Sequence, residues 1–176
     1  MKFIKPMLAF KQTEIPRDRY YEVKLDGARG QLHFDKKKMK LFNRRGDDIT
    51  YRYPELKNVS KGLCYKKNVV LDGEITVFQK PGDSSFQKLS YREHLADPKE
   101  IKKRMKKYPV KFSAFDILQK DDKKLINRPF KERRKILEET ITKKKDALLL
   151  HKTSKKLSPV LSFAKAHDEE GVMSKE

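Results

Sequence analysis

Two short segments separated by a pair of lysines limit what this chain can become more than any other stretch of it. Residues 29 to 35, RGQLHFD, and 38 to 43, KMKLFN, alternate apolar with polar positions. A period of two suits a strand with one face turned inward. They read as the arms of a hairpin turning at Lys36 and Lys37. Around them, residues 20 to 26, 69 to 78 and 109 to 119 are strand-like, the second with an interruption at Asp72-Gly73. Tyr53-Pro54 marks an extended stretch, because proline disfavours helix just before it. The RRGDD run at 44 to 48 and PGDSS at 81 to 85 read as loops, and DDKK at 121 to 124 as a turn. Residues 87 to 107 are mostly helical, with a break near Asp97 and Pro98 and Asp97 as cap of the second helix. Residues 129 to 143 form an amphipathic helix started by Pro129, with Phe130, Ile136 and Leu137 inward. A short strand at 147 to 152, a helix at 155 to 167 and a final strand at 171 to 176 with no room to finish complete the reading. Helices scattered among hairpin-linked strands predict one α+β domain over residues 1–176, with mixed, mostly antiparallel sheets flanked by helices.

Charge narrows the partners. Lys and Arg number 44 against 25 Asp and Glu, a formal charge of +19. Such an excess favours a polyanion, and nucleic acid is the obvious one because neutralised phosphates release counterions. A solvated lysine-rich surface accounts for the composition equally well. The excess is mostly lysine, which suits backbone phosphates better than base edges. Cys64 is the single cysteine, so no internal disulfide or cysteine-based zinc site is possible. His33, His94, His151 and His167 show no metal-ligand spacing. The start, MKFIKPMLAFK, lacks the apolar core of a signal peptide, and no run is long enough to span a membrane. The expectation is a cytoplasmic setting with no membrane partner.

Five stretches carry chemistry. In Glu22-Val23-Lys24-Leu25-Asp26-Gly27-Ala28-Arg29 a lysine sits within an apolar strand, where it is costly unless used or paired. A lysine amine is a usable nucleophile once its surroundings favour the neutral form. Gly27 would let the backbone approach a ligand closely; an ordinary Asp-Gly hairpin with a solvated lysine is the plainer alternative. Phe42-Asn43-Arg44-Arg45-Gly46, followed by Tyr53-Pro54-Glu55, reads by itself as a solvated basic hairpin end. Leu71-Asp72-Gly73-Glu74-Ile75 puts carboxylates in an apolar strand, where they need a partner such as a metal or a sugar hydroxyl. Phe112 to Leu118 is mostly core strand. Glu170-Gly171-Val172-Met173-Ser174-Lys175 is the fifth.

Lys24-Leu25-Asp26-Gly27-Ala28-Arg29 resembles the KxDGxR signature of the covalent nucleotidyltransferases: DNA ligases, RNA ligases and mRNA capping enzymes. The other four stretches follow it in order at ligase-like separations, so the resemblance runs from Lys24 to Lys175. Tyr53-Pro54-Glu55, Phe115-Asp116 and Glu132-Arg133-Arg134 favour the adenylation domain of an ATP-dependent DNA ligase, similar to the compact ligases of bacteria, archaea and phages. That resemblance implies the ATP-grasp-like fold of DNA ligases and capping enzymes. It makes Lys24 the nucleophile that attacks the α-phosphate of ATP, Glu22 the reader of the adenine amino group and Arg29 a ribose-side contact. Arg44 would bind nucleotide and later the 5′-phosphate of a nick; Arg45 replaces the family's usual Asn. Glu74 would contact ribose or metal. Phe115 would stack on adenine with Met173 on the other face, Lys175 would sit near the phosphates, and Glu74 with Glu170 would hold Mg2+. The stretch from Leu125 to Arg134 would be structural.

The resemblance further implies ATP and nicked double-stranded DNA as partners. The chain ends directly after the fifth stretch, where the family continues with a lysine-bearing strand and an OB-fold domain. The expectation is an adenylation domain incomplete at its C-terminus, with nick sealing impaired unless that segment or a partner chain supplies the rest. Two alternatives remain open at this point: a catalytically inactive basic nucleic-acid-binding fragment, and an RNA ligase or capping-type transferase.

Overall fold

In the computed structural model, which describes residues 2–36, 38–80, 83–142 and 147–176, strands outnumber helices. In chain order they are β1 Tyr20–Lys24, β2 Ala28–Asp35, β3 Lys38–Asn43, β4 Asn68–Thr76, β5 Phe78–Lys80, β6 Asp83–Ser84, β7 Lys111–Lys120, β8 Lys123–Lys124, β9 Leu148–Leu150 and β10 Gly171–Lys175. The helices are α1 Phe86–Ser90, α2 Pro98–Lys107, α3 Phe130–Thr140 and α4 Leu157–Ala166. The main sheet runs β3-β2-β4-β7-β8, and β9 joins it alongside β7 as its one parallel pairing among the described residues. A second sheet holds β1 and β10 alone, antiparallel, with Lys24 opposite Gly171 and Glu22 opposite Met173. The α+β architecture of mostly antiparallel sheets is therefore present.

The β2–β3 hairpin forms with Asp35 opposite Lys38. Lys36 carries the positive φ of +52° that so tight a return demands, and Lys37 lies outside the described residues. Leu32, Phe34 and Leu41 point into a core shared with Leu71, Ile75, Phe112 and Leu137. The opposite face of β2 is covered too. Ile4 donates its N–H to Gln31 and accepts from the Gln31 amide, which seals Gln31 and His33 beneath the N-terminal segment. Burial holds the His33 ring down at about 4, so it is neutral near pH 7.

Three expectations need correction. Tyr53-Pro54 does not open an extended stretch: Pro54 is the first residue of a 3-10 helix, Pro54–Gly62. Proline suits that first position, and only Tyr53, at φ −128° and ψ 60°, obeys the restriction on the residue before it. Asp72-Gly73 does not break β4, which runs through it while the register against β7 shifts. Of the loop expected at 81 to 85, Pro81 and Gly82 lie outside the described residues. Asp83 and Ser84 pair as β6, and Ser85 caps α1 by accepting from the Lys88 N–H. Asp97 caps α2 as expected, accepting from the Lys99 N–H. No helix among the described residues is long and apolar enough to cross a membrane.

Candidate functional site

Lys24 is the last residue of β1, and its side chain is 48% exposed rather than embedded. Its ammonium pairs with the carboxylate of Glu170, which directly precedes the strand that pairs with β1. The turn beyond Lys24 is tied down on two sides. The Asp26 N–H donates to Ser84 Oγ at 2.7 Å and to Glu169 Oε2 at 3.2 Å. Glu169 also accepts from the Ser84 N–H at 2.8 Å and the Ser84 hydroxyl at 2.5 Å, while the Asp26 carboxylate accepts from the Phe86 N–H. Glycine at position 27 serves the packing of the fold. A Cβ there would lie 2.5 Å from the Ile75 carbonyl oxygen and 2.8 Å from Glu74 Cγ, so this residue lets the turn lie against β4.

Across the main sheet, Arg29 on β2 stands opposite Glu74 on β4, which stands opposite Ser113 on β7. Arg29 grips both carboxylate oxygens of Asp72 through its Nε and Nη2, at 3.1 and 2.7 Å, and donates a third bond from Nη1 to the Met7 carbonyl. This two-point geometry fixes the guanidinium plane. Burial pushes the Asp72 carboxyl up despite Arg29. Burial pushes Glu74 up to about 8, against the pull of Arg29 and Lys24. Its environment asks for another cation.

Phe115 owes its position to the register. Gly73 pairs with Ala114 and Asp72 with Asp116, so Phe115 is the extra residue of a bulge in β7. Bulges re-aim side chains. A Cβ on Gly73 would meet the Ser113 carbonyl oxygen at 2.6 Å and the Phe112 ring at 2.7 Å, so glycine lets the bulged strand close in. The Phe115 ring stands between two cations, with Arg29 Cζ 5.5 Å and Lys175 Nζ 4.5 Å from its centre. Asp116 enters a buried two-point pair with Arg133, at 2.9 Å twice.

Glu22 is 2% exposed. Its Oε1 accepts from the Thr153 hydroxyl at 2.6 Å, with Arg134 Nη1 at 3.8 Å, and its Oε2 meets Lys175 Nζ at 2.5 Å. Thr153 arrives there because residues 151 to 154 run along β1: the Tyr21 and Ser154 backbones exchange two hydrogen bonds, and His151 Nε2–H donates to the Val23 carbonyl. Burial keeps that imidazole neutral. Lys175 thus stands on Glu22 and over the rings of Phe115 and Phe130, rather than beside Lys24. Met173, opposite Glu22 and half-buried, shares this strand pair.

The structure sets Glu22, Lys24, Met173 and Lys175 along the β1–β10 pair, with Glu170 just before β10, and Arg29, Glu74 and Phe115 on the main sheet, linked to them by Lys175 over Phe115 and by the pull of Lys24 on Glu74. Arg44 stands apart in the exposed turn after β3, one step beyond Asn43, and contacts none of them among the described residues. Glu74 and Glu170 supply the hard oxygen donors that suit Mg2+. No group of three or more His, Cys, Asp or Glu forms a ready metal cage among the described residues. Sequence reasoning missed Thr153, Glu169 and Ser84, and it assigned Arg134 to structure alone. Each acts through a partner distant in sequence, so no short motif signals it.

Residues 6–176 match the family model described as ATP dependent DNA ligase domain. A DNA ligase of Methanosarcina barkeri is 37% identical over 149 residues, covering 80% of this chain and 26% of that protein. A DNA ligase of Thermofilum pendens is 35% identical over 131 residues, covering 73% of this chain and 21% of that protein. The present chain thus spans about a quarter of these relatives' length. The solved structure of a mycobacterial DNA ligase D complexed with ATP and MES superposes with a TM-score of 0.68 at 25% identity, over 90% of this chain and 49% of that one. With a match over almost all its length, and with the lysine, paired carboxylates and aromatic wall gathered at one place, this chain belongs to the ATP-dependent DNA ligase domain family.

Proposed function

We propose that the chain is the adenylating unit of a DNA ligase and that Lys24 is its nucleophile. The observation that carries the reading is the position of the Lys24 amine. It is tethered to Glu170 where β1 ends and β10 begins, within electrostatic reach of Glu74. Lys24, once it has lost a proton, attacks the α-phosphorus of ATP and forms a P–N bond as the bond to pyrophosphate breaks. The product is a lysyl-AMP phosphoramidate. Glu22 faces the adenine amino group, Phe115 and Met173 sandwich the base, and Arg29 lies toward the ribose. Arg44, outside the cluster in the free chain, is reserved for the nucleotide or the 5′-phosphate of a nick.

Glu74 and Glu170 are the residues that would hold Mg2+. The elevated Glu74 carboxyl and the half-exposed Glu170 gain from an arriving cation, which when bound neutralises charge on the transferring phosphoryl group. Nicked double-stranded DNA is the acceptor: AMP passes to its 5′-phosphate and the 3′-hydroxyl then displaces it. A charge of +19 serves to hold the DNA backbone.

Intact mass after incubation with ATP and Mg2+ tests the reading. The wild-type chain gains one AMP and Lys24→Ala gains none; equal labelling of both removes Lys24 as nucleophile. GTP labelling in preference to ATP would instead support a capping-type transferase. Salt-sensitive DNA binding with no nucleotide affinity would leave only a basic DNA-binding unit.

A further inference from the structure

Resting on the adenylating reading, we infer that Thr153 is a positioning residue that sets the choice of base by orienting Glu22. A buried carboxylate with two free oxygens can rotate, take a proton and donate as readily as it accepts. Glu22 has no such freedom. The Thr153 hydroxyl donates to Oε1 at 2.6 Å and the Arg134 guanidinium stands 3.8 Å from the same oxygen. Thr153 comes from the strip where Ser154 pairs with Tyr21, and Arg134 comes from α3, where it also donates to the His151 carbonyl. Oε2 is left to the position beside Phe115 where Lys175 meets it.

The molecule marks what belongs in that space. A nitrogen donor already occupies it: Lys175 Nζ, 2.5 Å from Oε2 and 4.5 Å from the centre of the Phe115 ring. A purine stacked on Phe115 with its exocyclic amine toward Glu22 would put another N–H donor there and release Lys175 toward the phosphates. Adenine offers an amine at that edge; guanine offers a carbonyl oxygen, which an ionised carboxylate repels. The discrimination holds only while Glu22 is held with Oε2 forward. Thr153 keeps it so by a neutral hydroxyl that can donate to a carboxylate from a fixed side chain, half-buried and anchored by its neighbours. Replaced by valine, the same volume would present a methyl group to Oε1. Glu22 would then be free to turn about its remaining contacts with Arg134 and Lys175, and Oε2 would no longer be held where an adenine amine is favoured over a guanine carbonyl.

The test is binding of the α,β-methylene analogues of ATP and GTP by calorimetry, because these analogues release no pyrophosphate and report binding alone. Wild type prefers the adenine analogue. In Thr153→Val the preference falls by about tenfold, the scale on which pairing of one buried polar group discriminates ligands, while Thr153→Ser restores it. Should the valine variant not fold, Thr153→Ala reads the same ratio. An adenine-to-guanine ratio left unchanged in the folded variants, even with both affinities weakened together, overturns the role of Thr153 and leaves the adenylating reading intact. A wild-type chain that binds neither analogue overturns the adenylating reading itself.

Discussion

The Glu74 carboxyl predicts a measurable loss of stability on the alkaline side of neutrality. Burial raises it from 4.5 to about 8 in the folded chain. The folded state therefore holds a proton that the unfolded state has released throughout the interval between those values. For a group raised on folding, the stabilisation is fully present below the unfolded value and disappears as pH climbs through the folded one. Over the whole interval the ceiling is about 5 kcal/mol, from 3.5 units at about 1.4 kcal/mol each. His33 acts with the opposite sign, because burial lowers its ring from 6.5 to about 4, so its contribution fades as pH falls below 6.5. The two slopes oppose each other in mildly acid solution. Above pH 6.5 the unfolded imidazole is still giving up the last of its proton, and His151 and Asp72 are shifted by burial as well, so Glu74 is read from the difference between wild type and a variant that lacks only its carboxyl. Between pH 6.5 and 8.5 the linkage relation gives a loss of about 2 kcal/mol, equivalent to a midpoint shift of about 4–8 °C for a chain this long. The assay is urea or thermal unfolding of wild type and Glu74→Gln across that window, without nucleotide or divalent metal. Wild type loses stability more steeply than the glutamine variant. Equal slopes for the two proteins would mean that Glu74 is ionised in the fold, and the argument from its burial would fail.

Gly27→Ala places a methyl group 2.5 Å from the Ile75 carbonyl oxygen; the expected cost is about 1–3 kcal/mol in urea unfolding, with slower AMP incorporation, and an unchanged midpoint refutes the need for that contact. Arg133→Met strands the buried Asp116 carboxylate and costs about 3–5 kcal/mol, whereas the double change with Asp116→Leu recovers much of the loss. Recovery of nothing would show that the pair does not act as a unit. Glu169→Ala frees the Asp26–Ser84 anchor, so the rate of AMP gain by mass falls about tenfold through misplacement of Lys24, with little change in thermal midpoint. An unaltered rate would show that the Lys24 turn holds itself.

The motif residues were legible because the short stretches set charged side chains in or beside apolar strands, and two of them carry a glycine, Gly27 or Gly73, where the backbone closes in. The β2–β3 hairpin was legible because period-two patterning fixes face and turn together. What escaped the sequence was decided by partners far along the chain. Phe115 and Asp116 are neighbours on a strand, yet a bulge against Gly73 sends one to the cation pair of Arg29 and Lys175 and the other to Arg133. Adjacent arginines divide in the same way on α3: Arg133 takes Asp116, while Arg134 reaches Glu22. Glu169 and Glu170 are indistinguishable as letters, but one accepts hydrogen bonds from Asp26 and Ser84 while the other faces Lys24. These particulars share a cause. Lys24, Glu22, Met173 and Lys175 ride on the two-stranded sheet, while Arg29, Asp72, Glu74 and Phe115 ride on the main one. Strand pairing within a sheet is encoded locally, but the meeting of two sheets depends on a few long-range ties. Those ties are Gly27 against Ile75 and Lys175 over Phe115, with Glu169 to Ser84 fastening the approach to β10 onto the separate β5–β6 pair. The chemistry of the site therefore resides in the motifs, and its geometry in those ties.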